Sequence, residues 1–213
     1  MHDDAVELPI FELPLVLLPG EVVPLHIFEE RYKRMIAHCL EREEPFGVVF
    51  RDHDTGARRV GCEARVAEVT ERFDDGRLDI VIAGERPFRV LDRHETSDFP
   101  AGEVEPLPGS AADSPLGSDA PTRARDAFAE LVERVGGERP ERVDLDELDS
   151  YALAARVELP PDTKQHLLEL RSEPRRMDVL AAALEALLAA LERSREIAER
   201  ARMNGKLIVG PAE

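Results

Sequence analysis

The side chains able to do chemistry are few and scattered. Six histidines stand at His2, His26, His38, His53, His94 and His166, and no two share the i, i+3 or i, i+4 spacing that presents two metal ligands on one helix. Asp52-His53-Asp54 gathers oxygen and nitrogen donors in one tripeptide, but Thr55-Gly56 follows and no other ligand stands nearby, so a solvated turn accounts for it. The single His-Glu pair, His94-Glu95, lacks the second histidine of a zinc-protease helix, and there is no Gly-x-Ser-x-Gly elbow. The one Gly-Lys pair, Gly205-Lys206, is followed by Leu207 where a phosphate-cradling loop needs Ser or Thr. Cys39 and Cys62 belong to no Cys-x-x-Cys pair and fit reduced, buried thiols. With 45 acids in the chain, nothing in the linear order singles out a general acid and base. The expectation is a protein that is not an enzyme, with no metal and no cofactor.

Binding chemistry has better support. Between Pro14 and Phe28 lie Leu15, Val16, Leu17, Leu18, Val22, Val23, Leu25, Ile27 and Phe28, too many and too consecutive to share one face of a strand. Either some of them face solvent as a contact patch, or both faces are covered, one by a barrel and one by the helix that follows.

The elements that must position this run can be traced from the pattern. Tyr32, Met35, Ile36, Cys39 and Leu40 recur at helical spacing after acids in the first turn. Ala64–Glu71 and Leu78–Ala83 alternate around Asp74-Asp75-Gly76-Arg77, which predicts a hairpin whose Asp-Gly supplies positive φ. Strands are also expected at Leu8–Phe11, Phe46–Phe50 and Phe88–Leu91, six or seven in all. Pro19-Gly20 marks a tight turn, and the prolines at 9, 14, 19 and 24 push their segments to sheet edges or irregular crossings. From Pro106 to Pro121 the chain is Pro, Gly, Ser, Ala and Asp without periodicity, and beyond it Ala, Leu, Glu and Arg take helical spacing. Helices are expected at 123–135, 145–157, 161–171 and 174–203, the last too polar after Leu191 to be buried all round. The fold class is therefore α+β: a mostly antiparallel β unit, open or partly closed into a barrel, with one inserted helix over 1–107, a linker over 108–121, and a helical bundle ending in a long helix over 122–213.

The 213 residues carry a net charge of −17, and the half up to Gly117, with 13 basic and 25 acidic residues, holds −12 of it. A chain this acidic is a poor electrostatic partner for phosphates, so nucleic acid is not expected. No apolar run is long enough for a membrane span and the acidic start is unlike a secretory signal, so membrane is not expected either, and the cytoplasm is the expected location.

Leu13-Pro14-Leu15-Val16-Leu17-Leu18-Pro19-Gly20-Glu21-Val22-Val23-Pro24-Leu25-His26-Ile27-Phe28-Glu29-Glu30-Arg31-Tyr32 resembles the opening motif of the Lon protease N-terminal, substrate-binding domain family. Phe46–Val49, Gly61–Val66, Asp75–Leu78 and Gly84–Val90 are similar to the family as well, and Ser150–Ala154, Lys164–Leu170 and Arg175-Arg176 match its helical segment more loosely. The resemblance implies a PUA-like barrel followed by helices and a role in recognising polypeptides. The ATPase and protease modules of full-length Lon are expected to be absent, which implies a stand-alone, non-catalytic module. Its expected partners are unfolded or exposed apolar polypeptide segments, with a separate protease and self-association through the last helix as further candidates. The motif and the apolar run together nominate Leu17, Leu18, Val22, Val23 and Phe28 as the polypeptide-contacting residues. Two other readings stay open: an enzyme or small-molecule binder using a pocket in the barrel or between the subdomains, and, more weakly, RNA binding by analogy with other PUA-like folds.

Overall fold

A computed structural model describes residues 5–109 and 119–205, so most of the expected linker at 108–121 lies outside the described residues. Seven strands and one helix come first: β1 (Val6–Leu13), β2 (Val22–Ile27), α1 (Glu30–Arg42), β3 (Phe46–Asp52), β4 (Gly56–Ala57), β5 (Val60–Arg72), β6 (Leu78–Glu95) and β7 (Pro100–Pro106). The helical part follows as α2 (Ala120–Arg134), α3 (Arg142–Asp146), α4 (Ser150–Ala154), α5 (Pro161–Glu169) and α6 (Glu173–Gly205).

The hairpin predicted by alternation is β5 and β6, paired from Arg72↔Leu78 to Val60↔Arg89. The run around Phe88 is the continuation of β6 and not a separate strand, because a register shift between Glu63 and Ala64 passes the chain through Glu85 without breaking the pairing. At the hairpin tip Gly76 alone takes positive φ, 82°, while its N–H donates to the Phe73 carbonyl at 2.9 Å. The turn is thus a type I turn closed by a left-handed glycine, and Asp75 needs no special conformation.

Strand β6 pairs with β7, β7 with β1, and β1 runs parallel to β3, which pairs with β5; the ring closes into a five-stranded barrel. Strand β7, with no alternation to announce it, was not anticipated from the sequence. The barrel interior holds Leu8, Ile10, Val49, Phe88, Val90 and Val104, a small cluster that includes no helical residue. Pro9 is tolerated because β1 has only β7 beside it there; pairing with β3 begins at Ile10. On the other side of the strands a larger core runs from Phe11 and Phe46 through α1 to Leu188 of α6, so strands and helices share one apolar cluster.

In the helical part, the single helix expected over 145–157 is two short ones. The Asp149 carboxylate accepts from the Ala152 N–H at 2.8 Å, an N-cap that starts α4 afresh. Helix α2 begins at Ala120, three residues before the expected start at 123. Helix α6 buries Leu180, Ala181, Leu184 and Leu188, and after Leu191 its residues from Glu192 to Arg202 are exposed, as the polarity of that stretch predicts. Helix α5 is seated on the barrel by polar contacts: Lys164 Nζ lies 2.5 Å from Glu21 Oε1, Gln165 Nε2 donates to the Val60 carbonyl at 3.2 Å, and Arg58 reaches Asp162 at 3.2 Å.

Candidate functional site

The Pro14–Phe28 run is divided by its own geometry. From Pro14 to Glu21 the chain is not a strand, so period-2 alternation does not apply and consecutive leucines can turn the same way. Leu17 and Leu18 are 1% and 0% exposed. They are held by a turn in which Glu21 N–H donates to the Leu18 carbonyl at 3.1 Å, with Gly20 at φ 76°. The turn lies directly on β6: Gly20 N–H donates to the Gly84 carbonyl at 2.8 Å and Gly84 N–H to the Glu21 carbonyl at 2.9 Å. A Cβ on Gly84 would stand 2.2 Å from the Leu18 carbonyl oxygen, so only glycine permits this approach. Leu17 and Leu18, nominated from sequence as contact residues, are corrected: they are core residues closed off from any partner.

From Val22 onward β2 alternates. Val23, Leu25 and Ile27 turn toward the larger core, Val23 half-buried and Ile27 1% exposed. Val22 and Phe28 stand 60% and 62% exposed on the opposite side, with Pro24 and His26 between them. Cross-strand partners share a face, so Val22↔Ala83, Pro24↔Val81 and His26↔Asp79 form a strip on which Val81 and Ala83 touch neither core cluster.

Its far end is aromatic. The His26 ring stacks on Phe28 with centroids 6.1 Å apart and meets Phe73 edge-on at 5.9 Å, while the Arg77 guanidinium lies 4.9 Å over the Phe73 ring. His26 Nδ1 is 2.5 Å from Asp79 Oδ1, which fixes the imidazole against the strip. Asp75, at the tip, has its carboxyl held below the usual range by hydrogen bonds from the Arg77 amide and side chain. Exposed Glu68 and Glu71 on β5 face the same side, across from Val81 and Asp79. Phe73 escaped the sequence reading; its one signal is an aromatic residue placed directly before the Asp-Asp-Gly turn.

The edge of β2 completes the site. Among the described residues β2 pairs with β6 alone. Because Gly84 N–H bonds to Glu21, the two-residue repeat turns the main-chain groups of Val23, Leu25 and Ile27 toward β6 and those of Val22, Pro24 and His26 away from it. An open edge beside an apolar face is what an extended peptide needs to add as a strand.

The other residues singled out from sequence are otherwise employed. Asp52 Oδ1 accepts from the amides of Asp54 and Thr55, both at 2.9 Å, which lowers its pKa and closes the β3–β4 turn. Cys39 and Cys62 are buried and unpaired, and burial pushes both thiols up to about 12. No helix among the described residues is long and apolar enough to cross a membrane.

The small barrel is thus joined to a helical annex and carries an apolar strip beside a strand edge that is unpaired among the described residues. The model of the ATP-dependent protease La (LON) substrate-binding domain matches residues 7–186, and the chain belongs to that family. The Lon protease of Paraburkholderia phytofirmans is 28% identical over an alignment 214 residues long that covers 91% of this chain and 26% of that protein; the chain spans about a quarter of that relative's length. Two solved structures share the fold. The Lon N-terminal domain protein from Xanthomonas campestris is 27% identical, with a TM-score of 0.61 over 86% of this chain and 98% of its own. The N-terminal domain of Mycobacterium avium complex Lon protease is 20% identical, with a TM-score of 0.67 over 84% and 98%.

Proposed function

We propose that the chain is a non-catalytic, cytoplasmic module that binds exposed apolar segments of other polypeptides along β2. The observation that carries this reading is the pair of unsatisfied features on one strand: an apolar outer face led by Val22 and Phe28, and an unpaired edge. A peptide laid along the edge gains main-chain hydrogen bonds and puts alternate side chains over Val22, Pro24, Val81 and the Phe28–Phe73 end. Membership in a substrate-binding family supports the same role, and a protease is the destination for bound segments that the family suggests. Val23 contributes from beneath, by packing the strand against the larger core.

The test is fluorescence anisotropy with labelled, unfolded model polypeptides. Saturable binding is expected, weakened at least about tenfold by Val22→Ser with Phe28→Ala, a loss on the scale of a buried aromatic anchor. Absence of saturable binding, or binding indifferent to both substitutions, would overturn the reading.

A further inference from the structure

The barrel has two mouths, and they are closed differently. At one, Glu63 is 5% exposed and takes two parallel hydrogen bonds from Arg86, at 3.0 and 3.1 Å, a self-contained pair. At the other, beyond Ile10, a depression of about 240 Å³ collects Arg31 from the start of α1, Arg51 from the end of β3 and Arg93 from the end of β6, with His94 and Glu95 at its side. One carboxylate, Glu12, serves two of these arginines: Arg51 Nε donates to it at 2.6 Å, and Arg93 Nη1 stands 3.6 Å away. Arg31 is held by Glu29 at 2.9 Å and lies 4.5 Å over the Tyr32 ring.

We propose that this mouth is a binding site for a compact oxyanion, a phosphate or a carboxylate, gripped by Arg51 and Arg93 with Arg31 at the rim. Three arginines meet here in a chain of net charge −17, with Glu12 and Glu95 the carboxylates of the same lining. The donors outnumber their acceptors. Arg93 gives its terminal nitrogens to the Ala57 and Arg58 carbonyls, yet its Nε–H is buried with no partner among the described residues, and the same is true of Arg58 Nε next to it. Burial and the neighbouring Arg51 and Arg59 hold the Arg93 pKa below the usual guanidinium range, with Glu12 opposing, so an added anion would relieve a charge the fold leaves undercompensated. Arg51 is 58% exposed, so an anion can reach it from solvent beside Glu12, and the planar forks of two arginines match the oxygens of either anion.

The probes are inorganic phosphate, and a short acetylated peptide with a free C-terminal carboxylate set against its C-terminal amide. They are titrated into the whole ¹⁵N-labelled chain at constant ionic strength while the arginine Nε–Hε resonances are followed. Saturable shifts of the Arg51 and Arg93 signals are expected, with affinity lowered about tenfold or more by Arg51→Gln and unchanged by Arg200→Gln on the exposed end of α6. A response to phosphate assigns a free phosphate-type ligand, and a response to the carboxylate peptide but not its amide assigns a chain terminus; either supports the site. No saturable shift with any probe, a shift that chloride reproduces, or an affinity that Arg51→Gln leaves intact would overturn it.

Discussion

The two faces of β2 are built from nearly the same kinds of side chain and do opposite work. On one face Val23, Leu25 and Ile27 close on the larger core; on the other Val22 and Pro24, with Phe28 just past the strand end, meet solvent. Hydrophobicity therefore does not decide burial here. What decides it is whether a second layer exists: α1 and the bundle cover one side of the sheet, and among the described residues nothing covers the other beyond the barrel. The uncovered face is also the one beside the open edge, so its apolar side chains are placed where an added strand would bury them.

The largest effects should come from the covered side. Ile27→Ala is expected to cost about 2–5 kcal/mol, the range for removing a fully buried aliphatic side chain, and Gly84→Ala about 3 kcal/mol because a Cβ would drive the Leu18 turn off β6. Urea denaturation of both variants checks this; an unchanged midpoint for either would mean that the inner face is not the stabilising one.

Next comes alkaline pH. Cys39 and Cys62 lie on the covered side, and their folded-state pKa values near 12 stand above the ordinary thiol value, so the neutral thiol is favoured by folding. The stability this contributes is whole below about pH 9 and is lost as pH rises toward 12. Melting temperatures measured across that window should fall, and fall less steeply in Cys62→Ala. Native protein should also leave both thiols unmodified by a disulfide reagent at neutral pH.

On the open side, Phe28→Ala should leave stability within about 0.5 kcal/mol of the parent while it weakens peptide binding. A large loss of stability would show that Phe28 packs as part of the core after all. The finest contrast lies within one strand: amide exchange should be slow at Val23, Leu25 and Ile27 and fast at Val22 and His26, and binding of a peptide should slow the latter two. Uniform protection along β2 without peptide would mean its edge is already paired.

Much of this architecture was legible from residue order. Alternation placed the β5–β6 hairpin, helical spacing placed α1 and the stripe of α6, and Pro19-Gly20 placed the turn. The division of the site was not legible, because Leu17 and Leu18 are hidden by a close backbone approach to Gly84, 66 residues further on from Leu18. Linear pattern carries no information about such an approach. The same holds for Phe73 and the arginines of the barrel mouth, which are assembled from α1, β3 and β6 by the closure of the ring. The break between α3 and α4 could have been read, since Asp149-Ser150 is a helix-start signal inside an otherwise helical stretch.

The parallel pairing of β1 with β3, and its antiparallel pairing with β7 at Val6↔Val104, bear on how the chain is made. As the polypeptide leaves the ribosome, β5 and β6 can meet as soon as both have emerged, since their contacts are local. The first strand has no such option: one of its neighbours is the last strand of the barrel, nearly a hundred residues later, and the ring stays unclosed until then. Until β3 emerges Leu8, Ile10 and Phe11 are an apolar strand with both edges bare, and until β7 emerges one edge stays open, the stretch of the nascent chain on which a chaperone or an aggregation-prone neighbour would act first.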